Sequence, residues 1–263
     1  MIEQLRKGAH SGAPPQAVIF DFDGTLTLVR AGWMPLMLDM MMETLGPLAA
    51  DGPRSRSDAE VYVARLTGKD TVHQMRAFAE HVRALGGLTR SPEDYKAEFL
   101  ARIGSASDAR LTALQRRELS ADDLMVPGSR ALLERLRAAG LRIFLASGTD
   151  HEVVCTEAKL LGIDHCFEAV HGSAPGGLSK LELLNCLVDS GVPAARILMF
   201  GDGQVEIADT RQVGGIAVGV ASDEPHCLGI DLKKRAWLIR AGADYIIPNY
   251  LEPDLLRVVA GIA

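Results

Sequence analysis

The apolar positions of this chain fall into two patterns. Short runs that are apolar almost throughout recur at residues 17–20, 141–146, 196–200, 216–220 and 245–247, and small or acidic residues follow each of them. A run without polar alternation has no solvent face, so these segments read as strands buried on both sides, as in a parallel sheet. Between them the apolar spacing is helical. Residues 129–139 carry Leu132, Leu133 and Leu136 and stop at Gly140; residues 152–161 stop at Gly162, and 179–190 at Gly191. A glycine just beyond the last turn takes the left-handed conformation that ends many helices. Strand and helix alternate from about Pro127 onward, which predicts βαβ units and an α/β, doubly wound, Rossmann-like sheet.

The stretch after the first strand differs, because residues 33–124 are helical in pattern. Its clearest segment is 71–85, with Val72, Met75, Phe78, Ala79, Val82 and Leu85 on one face, Asp70 as cap and Gly86-Gly87 beyond. Ser91-Pro92-Glu93-Asp94 supplies an N-cap, a first-turn proline and two first-turn acids, and predicts a helix from there to Gly104. The expected organisation is a catalytic core made of residues 1–29 and 126–263, interrupted by an α-helical cap domain over 30–125, with hinges near 28–32 and 124–128. Met34, Met37, Met40, Met41 and Met42 lie at helical spacing and read as adaptable packing residues rather than soft-metal ligands.

Composition narrows the function classes. With 263 residues, 48% of them hydrophobic and 24% charged, the chain has enough apolar surface to fold and is not a disordered tail. A net charge of −6 argues against nucleic acid or an anionic membrane as the main partner. No segment reaches the roughly 18 apolar residues of a membrane span. The first sixteen residues lack the apolar centre of a secretory signal. The 4 cysteines form no CxxC pair, which fits reduced thiols and a cytoplasmic location.

Chemistry is expected at one rim. In an open parallel sheet ligands bind beyond the carboxyl ends of the strands. That places Asp21 and Asp23, then Ser147, Gly148 and Thr149, then Asp202 together. Acids gathered on one rim repel unless a cation lies among them, and an all-oxygen donor set suits Mg2+. The amides around Ser147-Gly148 precede a helix and offer donors to an anion, and Lys180 brings a positive charge. Other motif readings fail on their details. A calcium loop opened by DxDG would need a donor at Thr25, glycine at Leu26 and glutamate at Gly32. A dinucleotide fingerprint at Gly201-Asp202-Gly203 lacks its third glycine and sets an acid against the pyrophosphate.

DFDGT at 21–25, SGT at 147–149, Lys180 and GDGQVE at 201–206 together resemble, in order and spacing, the four motifs of the haloacid dehalogenase superfamily. The likeness spans residues 16–249, and the helical insert resembles the cap of its phosphatase-like branch. The resemblance implies a Mg2+-dependent phosphatase acting on a small phosphorylated metabolite. Asp21 would be the nucleophile that forms an aspartyl-phosphate, and Asp23 the general acid and then base. Ser147 and the Gly148 amide would hold the phosphoryl group, with Lys180 balancing its charge. Asp21, the Asp23 carbonyl and Asp202 would hold the metal. A carboxylate approaching a phosphate dianion at ~4 Å is opposed by about 8 kcal/mol at an effective dielectric of about 20, so charge compensation is central.

The presence of Asp23 points to phosphoryl rather than dehalogenase chemistry, and Thr25 is the usual phosphatase residue. Glu206 departs from the pattern, standing where aspartate is usual, with Asp209 a weaker substitute. Arg30 and Trp33 are candidates to border the leaving group, and Lys69 in the turn at 67–70 to project into the cleft. A solvated turn and a hinge-packing tryptophan are equal alternatives. The same scaffold also hosts phosphomutases and phosphonate hydrolases, the latter needing a cap lysine such as Lys69. A non-enzymatic phospho-receiver is a further alternative, one that Asp23 opposes.

Overall fold

The first elements of the chain are β1 (Glu3–Gln4) and β2 (Ala17–Phe20), followed by four helices: α1 (Trp33–Leu45), α2 (Gly52–Leu66), α3 (Thr71–Ala84) and α4 (Pro92–Gln115). Then come α5 (Ser129–Ala138), β3 (Arg142–Asp150), α6 (His151–Leu160), β4 (Ala169–Ser173), α7 (Lys180–Asp189) and β5 (Ile197–Gly201). The chain continues through α8 (Gln204–Val213), β6 (Ile216–Val220), α9 (Leu232–Ala241), β7 (Tyr245–Ile247) and α10 (Leu255–Ala260). This computed structural model describes residues 2–8, 13–46, 52–227 and 229–262.

The strands form one sheet in the order β1-β7-β6-β5-β2-β3-β4, parallel except for β1, which pairs antiparallel with β7. Apart from β1, chain order runs outward in both directions from the β2/β5 pair. Neighbouring crossovers there leave to opposite faces, so a crevice opens at the carboxyl ends of β2 and β5.

The side chains of the strands alternate between two cores. Val18, Phe20, Ile143, Leu145, Leu198 and Phe200 point to the face covered by α5, α6 and α10. Ala17, Ile19, Phe144, Met199 and Ile197 point to the other, where α7 supplies Leu183, Leu184 and Leu187. Directly under the crevice Phe20 and Phe200 stack at 4.7 Å, and Tyr250 meets both rings edge-on. The Tyr250 hydroxyl donates to the Thr25 carbonyl at 2.9 Å, tying this aromatic floor to the loop after β2.

The helical insert has its own core, made of Met37, Met40 and Met41 of α1, Met75, Phe78 and Val82 of α3, and Tyr95, Phe99 and Ile103 of α4. The methionines thus pack, as their spacing predicts. The two connections to the sheet run side by side: the Leu28 amide donates to the Leu124 carbonyl at 2.8 Å and the Val126 amide to the Leu26 carbonyl at 3.0 Å.

Three features differ from the sequence reading. The helix expected to stop at Gly104 continues to Gln115. Gly104 weakens a helix by about 1 kcal/mol relative to alanine but does not break it, and Leu111 and Leu114 beyond it still find a buried surface, that of the sheet. The segment at 147–150, expected as a loop, belongs to β3, where the register with β4 slips between Ala146 and Asp150. The edge strands β1 and β4 were not foreseen; β4 is only partly buried and carries no apolar run.

Candidate active site

Each motif reaches the crevice because of where its strand or helix ends. Asp21 directly follows β2, and its amide donates to the Phe200 carbonyl at 2.9 Å, continuing the ladder with β5. Asp202 directly follows β5. Ser147 and Gly148 lie in the irregular end of β3, with the Thr149 amide donating to Ser147 Oγ at 3.1 Å. Lys180 is the first residue of α7, a position fixed by a capping box between Ser179 and Glu182.

Residues distant in sequence meet here. Lys180 Nζ donates to Asp21 Oδ1 at 2.6 Å and lies 3.5 Å from Glu206 Oε2. Thr25 Oγ1 is 3.5 Å from Asp21 Oδ2. Asp21, Asp202 and Glu206 offer carboxylate oxygens that all lie within 4.8 Å of one another, and all three residues are buried. Burial pushes the Asp21 carboxyl up to about 6 despite the ammonium of Lys180. Burial also pushes Asp202 up to about 7, and it raises Glu206. Burial opposes the charge on Lys180, yet the fields of Asp21 and Glu206 hold its pKa above the usual lysine range.

A divalent cation fits this donor set. Glu206 Oε2 is buried without a hydrogen-bond partner. Four acids (Asp21, Asp202, Glu206 and Glu224) face two ammonium groups (Lys180 and Lys234), an excess of two negative charges whenever all four are ionised. The donors are all oxygen, which suits Mg2+. Two of the expected ligands, Asp21 and Asp202, share the cluster, and Glu206 adds a third carboxylate to it; the other expected ligand, the Asp23 carbonyl, is a backbone oxygen. The longer side chain of Glu206 folds back onto its own helix start, where Oε1 accepts from the Gly203 amide at 2.7 Å, leaving Oε2 turned to the cluster. Asp209, the weaker substitute, is outside it.

The Asp23 side chain is turned elsewhere. Its two oxygens accept from Arg30 Nη1 at 2.9 Å and from Thr149 Oγ1 at 2.8 Å. Arg30 also grips the buried Glu157 of α6, at 2.6 and 2.8 Å. Arg30 therefore orients Asp23 through Nη1, and it also lines the cavity where it was expected to border the leaving group.

The turn at 67–70 from the insert closes directly over the rim. The Val205 amide donates to the Thr67 carbonyl at 3.3 Å. A Cβ at Gly68 (φ +102°) would overlap Glu206 Oε2, and one at Gly148 would lie 2.8 Å from the Lys69 carbonyl oxygen. Only glycines permit backbones this close. The Lys69 side chain is exposed, and its positive charge is felt by Asp209. What remains beneath the turn is a cavity of about 80 Å³, lined from the sheet by Asp21, Asp23, Ser147, Lys180 and Asp202 and from the insert by Trp33, Met37, Gln74 and Phe99.

Sequence reasoning missed three charged residues. Lys234 Nζ donates to Asp202 Oδ2 at 2.9 Å and to Glu224 Oε1 at 2.8 Å, and Glu157 holds Arg30. A signal for Lys234 existed: it stands in the first turn of α9, where the helix dipole disfavours a cation, so an acid had to be near.

Fold, crevice and motif residues together define a hydrolase of one family. A model of the haloacid dehalogenase-like hydrolases matches residues 15–214, and the chain belongs to that family, on its phosphatase branch. It is 31% identical over 212 residues to a phosphoglycolate phosphatase of Rhodospirillum rubrum, covering 79% of this chain and 80% of that one. It is 27% identical over 227 residues to the phosphoglycolate phosphatase of Chromobacterium violaceum, covering 82% and 90%. Among solved structures, a β-phosphoglucomutase from Clostridium difficile superposes with a TM-score of 0.57 at 16% identity, covering 93% of this chain and 96% of that one. No helix among the described residues is long and apolar enough to cross a membrane.

Proposed function

We propose that this protein hydrolyses small phosphate monoesters through a phosphorylated Asp21, with Mg2+ held by Asp21, Asp202 and Glu206 and residues 30–125 acting as a cap. The observation that carries the reading is the buried Lys180–Asp21 pair at 2.6 Å on the edge of an acid cluster that needs a cation. The phosphoglycolate phosphatases it resembles support it.

The chemistry follows from the placement of the groups. Bound Mg2+ would supply positive charge beside the phosphoryl oxygens. Ser147 and the Gly148 amide hold those oxygens, and Lys180 offsets the charge of nucleophile and phosphoryl group together. A carboxylate oxygen of Asp21 bonds to phosphorus as the bond to the leaving oxygen breaks. Asp23 gives that oxygen a proton, and its carboxylate then takes one from the water that attacks the aspartyl-phosphate. Inorganic phosphate leaves and Asp21 is restored. Arg30 and Thr149 keep Asp23 aimed through both steps. The turn at 67–70 excludes bulk water.

The test is release of inorganic phosphate from a panel of small monoesters with Mg2+ present. Asp21→Asn should lower turnover by ~10⁴-fold or more. Turnover that survives this substitution would remove Asp21 as the nucleophile.

A further inference from the structure

The cavity wall opposite the phosphoryl-binding groups comes from the insert, which also brings Arg30 and Lys69 to it. Trp33, Met37 and Phe99 give it apolar surface, with the side-chain amide of Gln74 set among them. Gln74 is only 6% exposed. Its Nε2 donates to the Lys69 carbonyl at 2.9 Å, which fixes the orientation of the amide, since the flipped form would set two carbonyl oxygens against each other. Gln74 Oε1 is the atom left over, buried and without a hydrogen-bond partner. A buried acceptor in this state costs free energy until a donor meets it. A carboxylate only accepts and could not meet this oxygen, while the two cations that line the cavity from the insert each have an acid near them. Arg30 is held by Asp23 and Glu157, and the exposed Lys69 side chain acts on Asp209.

We propose that Gln74 selects the substrate, its Oε1 accepting a hydrogen bond from a hydroxyl on a neutral leaving group. The substrate class is then the phosphate monoester of a small polyol, rather than that of a carboxylic hydroxy-acid. This rests on the phosphatase reading above. A site built around a buried acceptor discriminates by leaving that acceptor unpaired when the hydroxyl is missing.

The experiment compares kcat/KM for glycerol 1-phosphate, propyl phosphate and phosphoglycolate in the wild type and in Gln74→Met. The wild type is expected to prefer glycerol 1-phosphate to both others by about tenfold or more. Gln74→Met should bring the ratio of glycerol 1-phosphate to propyl phosphate toward one. Equal rates on the two alkyl phosphates, a preference for phosphoglycolate, or an unchanged ratio in the variant would each overturn the assignment. Should the variant fail to fold, the three wild-type values still decide. Hydrolysis that depends on Asp21 but ignores the hydroxyl removes this inference alone. No hydrolysis of any monoester removes the phosphatase reading as well.

Discussion

The rim of the sheet and the wall of the helical insert face each other across one cavity, and apart from Glu206 Oε2 on the rim they treat buried polar groups in opposite ways. On the rim, Asp21, Asp202, Lys180 and Lys234 are all buried and all bonded to an opposite charge at 2.6–2.9 Å. In the insert, whose core is built of methionines and aromatic rings, Tyr62 Oη, Gln74 Oε1 and Ser107 Oγ are buried with no hydrogen-bond partner. A buried charge is tolerable only in a defined geometry, so the rim holds its shape through directional contacts. The insert holds together by packing, which accepts volume-conserving change at little cost. Chemistry is fixed on one side and selectivity can drift on the other.

Substitutions should separate the two regimes. The largest effect is expected at Lys180→Met, which removes the one cation bonded to Asp21 and leaves it buried beside Glu206. Steady-state kinetics should show kcat falling by ~10³-fold, and a fall below tenfold would mean the pair is not central to turnover.

The second expectation concerns pH. The folded-state pKa values of Asp21 and Asp202, about 6 and about 7, lie above the ordinary 3.8 of an exposed aspartate. Between those limits the folded protein binds more protons than the unfolded chain, so stability of the metal-free protein falls as pH rises from about 4 to about 7. At the site proposed above, Mg2+ would compete with protons for these carboxylates. The rise in Tm on adding Mg2+ should be small at about pH 5 and reach several degrees at about pH 8. A rise that does not depend on pH would show that the cation binds elsewhere.

The smallest effect is expected at Ser107→Ala in α4. Its hydroxyl is buried and unpaired, so chemical denaturation should show the variant as stable as the wild type or more so, by about 1 kcal/mol. A loss of more than that would mean the hydroxyl has a partner and the contrast between the two regions is overdrawn.

The same contrast explains what could be read from the sequence. The five short apolar runs of the sheet became strands because strands buried on both faces admit few polar residues, and the acids after β2 and β5 could be placed at the crevice by topology alone. Lys180 was legible only by its order between Ser147 and Asp202. Lys234 belongs to no motif, although both lysines stand in the first turn of a helix, where a cation is disfavoured unless acids compensate. Glu157 and Arg30 are 127 residues apart, and no local pattern announces such a pair. In the insert the helix at 71–84 was legible with Met75, Phe78, Ala79 and Val82 on its buried face, although Leu85, read on the same face, is exposed. Gln74 was not, because the role proposed for it rests on an oxygen without a hydrogen-bond partner.

Helix α4 spans 24 residues, about 36 Å. Tyr95, Phe99 and Ile103 at one end belong to the core of the insert, while Leu111 and Leu114 at the other rest against that of the sheet. The two bodies thus share a beam as well as a pair of strings. Any tilt of the upper body must strain this rod or lever its lower end out of its seat, and Gly104, the residue least able to stiffen it, sits near mid-span.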